Sequence, residues 1–271
     1  MSGPRTLQEA REMVMAMREL QETAPEGLGA GVLAQLGMAD GYAEVEGPID
    51  RLYVAWGPDG VIAVERVGDP MGFETEVQLR TGRPIVRMDR LPADLERKVQ
   101  RQLAGERQKD LPVDLGRLTS FERSVLVKTM EIPFGEVRPY AWVAREIGRP
   151  RAVRAVGSAL AENPIPFVIP CHRVVRTDGH IGEYGAGGPE AKRAVLTTEG
   201  VDPDELERLA SRGIRYFGSD TTGVFCYPSC RHARRVTERH RVTFRSGDDA
   251  RAAGFRACKV CRPLEGAVFA A

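Results

Sequence analysis

YAWVAREIGRPRAVRAVGSALAENPIPFVIPCHRVV, residues 140–175, packs two short helical patterns, an apolar run and a Cys-His pair into 36 positions. Tyr140–Gly148 and Arg151–Asn163 read as helices, and Gly148-Arg149-Pro150 separates them. Two short helices joined by a tight glycine-containing turn are the helix-turn-helix signal. The second is rich in small residues (Ala152, Ala155, Gly157, Ala159, Ala161), so its backbone can approach another surface closely, although alanine is also simply a good helix former. "PFVIP" then reads as an apolar strand that ends on Cys171.

A lone buried cysteine is by default an inert small hydrophobe. Three neighbours argue otherwise here. His172 places an imidazole beside the thiol, Pro166 and Pro170 frame its backbone, and "HIGEYGAGG" (180–188) is glycine-rich, as where a ligand approaches backbone closely. A thiol nucleophile needs a base, and the base needs an orienting group. Glu199, on the closing helix "PEAKRAVLTTEG" (189–200), is the candidate orienter.

Outward from this centre, "LTSFERSVLVKTM" reads as a helix over about 120–130. Residues 200–212 read as an acidic, partly helical linker. Upstream, "RLYVAWGPDGVIAVERV" reads as two strands around a turn at Gly57–Gly60. "FETEVQLRTG" and "LPADLERKVQRQLAGE" read as helices. No titratable cluster appears over 40–115, which reads as a structural α+β unit, and residues 6–37 read as a helical extension. The domain expectation is therefore 1–39, 40–115, 116–205 and 206–271.

The chain has 271 residues, 28% of them charged, and a net charge of only +1. That balance hides an asymmetry, because residues 211–271 hold 12 Lys/Arg against 5 Asp/Glu. A basic tail points to a polyanionic partner. The absence of a long apolar run or signal-type N-terminus leads to the expectation of a cytoplasmic protein with no membrane partner. Four of the five cysteines, Cys226, Cys230, Cys258 and Cys261, follow C-x3-C…C-x2-C spacing, which suits a tetrathiolate zinc site.

"IPCHRVV", with "IPFGEVRPYAWVA", "RAVRAVG" and "ENP" upstream and "GEYGAGG…K…E" downstream, resembles the O6-alkylguanine-DNA alkyltransferase family over about 40–200. The resemblance implies an α+β fold with a ribonuclease H-like N-terminal unit and a helical, winged-helix-like catalytic unit. It implies transfer of an alkyl group, typically methyl, from guanine O6 of flipped-out duplex DNA to Cys171. His172 is implied as the base acting through water, Glu199 as its orienter and Tyr140 as the acid beside the leaving guanine. Asn163 is implied as the tie between recognition helix and active-site turn. Arg154 is implied to enter the duplex, with Ala152, Val153 and Gly157 on the same minor-groove helix and Tyr184 lining the pocket. Pro139 and Gly185 depart from serines common in the family, which bears on alkyl-group preference.

"TTGVFCYPSCRHARR…AAGFRACKVCRP" resembles the zinc-binding domain of the bacterial Ada protein, over about 214–264. The resemblance implies Zn2+ held by the four cysteines, with Cys226 as a possible second acceptor for methyl groups from backbone phosphotriesters. It also implies phosphate contacts from Arg231, Arg234 and Arg235. Tyr227 and Val260 replace basic residues of that domain. The expectation is a monomer acting on double-stranded DNA without an organic cofactor. The rival expectation is an alkylation sensor whose DNA affinity changes when a cysteine is methylated.

Overall fold

The computed structural model describes residues 36–264. The helical expectation for residues 6–37 falls almost entirely outside them. The fold is mixed α+β.

Strands β1 (Asp40–Glu46), β2 (Arg51–Gly57) and β3 (Gly60–Arg66) pair antiparallel, and β4 (Ile85–Arg87) lies parallel to β1 at the edge. The β2–β3 hairpin is the expected one. Neither β1 nor β4 was expected, since "DGYAEVE" carries glycine and three acids, which are depleted in strands, and β4 has three residues. Helix α1 (Pro70–Thr81) starts at Asp69, whose carboxylate accepts from the Met71 and Gly72 amides, and Pro70 occupies its first turn. Helix α2 is Ala93–Leu103.

The second group opens with α3 (Ser120–Thr129), started by a reciprocal Thr119–Glu122 capping box. Then come β5 (Arg138–Pro139), α4 (Tyr140–Glu146), α5 (Val153–Ala161), β6 (Val174–Val175) and α6 (Gly188–Thr198). The two helices around Gly148 are as expected. The strand expected at "PFVIP" is absent. Pro166 and Pro170 lack N–H donors, Phe167 adopts a φ of +68°, and the Ile169 amide donates back to Ile165. The segment is a tight buried turn that delivers Cys171 into a short 3₁₀ helix, Cys171–Arg173. The expected linker is helix α7 (Pro203–Ser211), which buries Leu206, Leu209 and Ala210 and is therefore packed rather than free.

The third group is a sheet of β7 (Tyr216–Ser219), β8 (Val224–Cys226), β9 (Arg241–Phe244) and β10 (Arg256–Ala257), with helix α8 (Gly247–Ala252). The strand order is β10-β8-β7-β9. The parallel register Ala257↔Phe225 sets Cys258 alongside Cys226. One buried apolar cluster runs through all three groups, from Val54 through Trp142 and Val168 to Phe225 and Cys261. Among the described residues no helix is long and apolar enough to cross a membrane.

Candidate active site and metal centre

Cys171 is buried, and its sulfur accepts from Asn163 Nδ2 at 3.1 Å. The same amide nitrogen donates to the Ile169 carbonyl at 3.1 Å, and Asn163 Oδ1 accepts from the Ile165 amide. One asparagine thus ties the end of α5 to the turn before the thiol. Burial pushes the Cys171 thiol up, with Asn163 and Lys192 pulling the other way. The resting group is a thiol, and its use as a nucleophile requires a base.

His172 Nε2 lies 2.8 Å from Glu199 Oε1. Burial alone would raise the Glu199 carboxyl, but bonds from His172 and Arg173 outweigh it and hold the group at about 2. An ionised carboxylate only accepts, so Nε2 carries the ring proton and Nδ1 carries the lone pair. Nδ1 is buried and has no protein partner. Burial lowers His172 below its ordinary value, leaving a neutral imidazole able to take a proton at neutral pH.

Two residues without a role in the sequence reading build this site. Arg173 donates to both Glu199 oxygens through Nε at 2.9 and 3.1 Å, and to the Ile132 carbonyl at 2.8 Å. The buried Lys192 ammonium donates to the carbonyls of Val174, Ile181 and Glu183 at 2.6, 2.8 and 3.1 Å, tying the glycine-rich loop to β6. Gly135 supplies a further hold on Glu199, with its amide 3.1 Å from Oε2. Its φ is +70°, and a Cβ there would lie 2.8 Å from the Glu199 carbonyl oxygen, so only glycine fits.

Tyr140 heads α4, partly buried, and burial with nearby Cys171 raises its phenol, which keeps its proton. Tyr184 is buried with an unpartnered hydroxyl, its ring edge-on to both Phe167 and His172. Its place is inside the site rather than on an outer face. Cys171 opens on a cavity of about 440 Å³ whose wall includes Asn163, Pro166, Gly185 and Ala186, and also Arg66 and Phe73 of the first group. The unit expected to be structural, 40–115, thus also supplies one wall of the cavity.

On α5, Arg154 is exposed, Val153 and Gly157 are half-buried, and a Cβ at Gly157 would meet open space. Ala152, half-buried, is the residue before the helix. Arg149, Arg151 and Arg154 make no ion pair among the described residues, nor do Arg231, Arg234, Arg235, Arg256 and Lys259. In the first group Arg51, Arg66, Arg83, Arg87 and Arg97 pair with acids, while Arg90, Arg107 and Lys109 do not among the described residues.

The sulfurs of Cys226, Cys230, Cys258 and Cys261 lie within 4.8 Å of one another, all buried and none in a disulfide. Four converging thiols at that spacing are the donor set of tetrahedral zinc.

Residues 120–201 match the family model for the DNA-binding domain of 6-O-methylguanine DNA methyltransferase, and 209–264 match the metal-binding domain of Ada. A methylated-DNA–protein-cysteine methyltransferase of Mycolicibacterium paratuberculosis is 38% identical over 159 residues, covering 58% of this chain and 91% of that protein. This chain belongs to the methylated-DNA–protein-cysteine methyltransferase family. The rat methyltransferase is 45% identical over 101 residues, 37% of this chain and 47% of that one. The bifunctional transcriptional activator/DNA repair enzyme Ada of Escherichia coli K12 is 36% identical over 151 residues, 54% and 42%. The chain thus spans under half the length of these last two relatives. The four-cysteine cluster lies within the Ada metal-binding match and is a zinc site.

Proposed function

We propose that this protein repairs DNA by moving an alkyl group from guanine O6 in duplex DNA irreversibly onto Cys171. The observation that carries the reading is the His172–Glu199 contact, which leaves a buried, unpartnered Nδ1 lone pair on the residue next to a buried thiol. In the reaction, the Cys171 proton passes through a water to Nδ1 while Glu199 holds Nε2–H. The sulfur attacks the alkyl carbon and the C–O6 bond breaks. Its electron pair stays on the purine, and Tyr140 protonates a ring nitrogen so that guanine departs neutral. The thioether is stable, so each molecule acts once.

The target atom lies within a base stack and the base must be flipped. Arg154 is suited to fill the gap, and the small residues around it allow α5 into the minor groove. The unpaired arginines supply phosphate neutralisation. The β3-β2-β1-β4 sheet with two helices supports a ribonuclease H-like unit, and α3–α5 with the β5–β6 pair support a winged-helix-like unit, acting as a monomer.

Cys226 is the proposed second acceptor. It and Cys258 line a cavity of about 640 Å³ walled also by Arg235, Arg256 and Lys259, which suits an alkylated phosphate backbone. Zinc supplies a thiolate kept deprotonated at neutral pH. The Cys226 sulfur would take the methyl carbon as the C–O bond breaks, leaving an ordinary phosphodiester. Peptide mass spectrometry after mixing with two DNAs, one carrying O6-methylguanine and one only methyl phosphotriesters, tests both. Methyl on Cys171 from the first and on Cys226 from the second is expected; an unmodified Cys171 overturns the main reading.

A further inference from the structure

The zinc module is built into the scaffold of the O6 site. Strand β5 is only Arg138–Pro139, paired in parallel with Val174–Val175. That pair joins the two reacting groups, because Tyr140 follows Pro139 directly and Cys171 precedes Val174 by one turn. Two residue pairs are too few to hold a parallel register unaided.

Val137, the residue that leads into β5, is held by the first zinc loop, Cys226–Cys230. The Val137 amide donates to Ser229 Oγ at 2.9 Å, and that hydroxyl donates back to the Val137 carbonyl at 3.3 Å, all buried. The Arg231 amide donates to Glu136 at 3.1 Å, and Glu136 pairs with the fully buried Arg138. The Arg138 guanidinium stacks between Trp142 and Tyr227, the residue that replaces arginine after Cys226. The second zinc loop holds α4. Trp142 Nε1 donates to the Cys261 carbonyl at 3.1 Å, and Arg145 to the Pro263 carbonyl at 3.0 Å. Both zinc loops therefore grip the short segment that carries Tyr140.

We propose that Ser229 and Trp142 are positioning residues for alkyl transfer, through which zinc occupancy sets the rate at Cys171. The proposal rests on the reading of Cys171 as acceptor. A zinc-free loop 226–230 no longer presents the Ser229 hydroxyl in a fixed place, Val137 at the entry to β5 loses its partner, and Tyr140 loses its register against Cys171.

The test uses full-length, zinc-loaded wild-type protein with Ser229→Ala, Ser229→Thr and Trp142→Phe. Zinc content, amide hydrogen exchange over 137–142, and the rate of Cys171 alkylation by free O6-benzylguanine base are measured. The free base removes DNA affinity from the readout. Ser229→Ala is expected to keep one zinc, expose the Val137 amide to exchange at least tenfold faster, and slow alkylation about tenfold, with Ser229→Thr restoring both. If Ser229→Ala does not fold, Trp142→Phe decides by the same readouts. An alkylation rate equal to wild type in a zinc-loaded variant whose 137–142 exchange has risen overturns the proposal. Should wild-type Cys171 react neither with the free base nor with duplex O6-methylguanine, the acceptor reading has failed. The brace is then judged by exchange alone, and protection over 137–142 that survives zinc removal by chelator overturns it.

Discussion

Glu199 stands 64 residues from Gly135 in sequence and yet accepts that residue's amide at 3.1 Å while also holding the imidazole of His172. The carboxylate is thus fixed by a loop, a histidine and an arginine at once, and its charge state is the simplest lever on the site.

Glu199→Gln removes the charge that favours a protonated His172. The wild-type rate of Cys171 alkylation should show its acid limb below pH 6.5, since burial lowers His172 from that value. In the variant the limb moves lower still, because the imidazole becomes less basic. The plateau falls by roughly 10²-fold, at the lower end of what positioned acid–base groups contribute. Single-turnover kinetics across pH 5–8 measure both.

The same carboxyl makes stability depend on acid. It titrates at about 2 in the folded chain against an ordinary 4.5. The folded state therefore binds this proton less tightly than the unfolded chain. The stabilisation is complete above 4.5 and disappears as pH falls toward 2, an amount of about 3 kcal/mol at about 1.4 kcal/mol per unit. Urea denaturation between pH 5 and 2 should show this loss in wild type. Glu199→Gln should lack that component of the slope, and be less stable at pH 7 because the buried Arg173 charge is left without its partner.

Asn163→Ala orphans the buried Ile165 amide and frees the Cys171 sulfur, while the Ile169 carbonyl keeps the Cys171 amide as its donor. Orphaning a buried group costs about 1–3 kcal/mol. Thermal unfolding should show a loss of that size, together with slower alkylation of Cys171 by free base, whereas Asn163→Asp should retain the acceptor bond to Ile165.

Arg154→Ala and Arg235→Ala separate two roles for the unpaired cations. Arg235→Ala takes away one phosphate-neutralising charge, so it should weaken binding to undamaged duplex and reduce the slope of log K against log salt by about 1. Arg154→Ala should instead lower alkylation from duplex O6-methylguanine far more than alkylation by the free base. Fluorescence titration over 50–200 mM salt and the two kinetic assays distinguish them.

The sequence displayed Cys171, His172 and Glu199 as a thiol, a neighbouring base and a carboxylate, and the structure brings the last two into contact. Arg173 and Lys192 were not legible, because a lone Arg or Lys in sequence looks like a solvated surface charge. Only the folded chain shows the carboxylate or three carbonyls that offset its desolvation. "PFVIP" reads wrongly as a strand because a short apolar run suits a buried turn equally well. Its two prolines were the signal against a strand. The zinc ligands were legible from spacing alone, but their attachment to Val137 was not, since Ser229 lies 92 residues away.

A single apolar cluster joins Val54, Trp142, Val168, Phe225 and Cys261. Calorimetry on the zinc-loaded protein should therefore record one cooperative melting transition rather than separate events for three modules. A chain cut after residue 205 would leave Trp142, Val137 and the Glu136–Arg138 pair facing water where they are now covered. The divisions between the family matches, 120–201 and 209–264, are not where heat should part the chain.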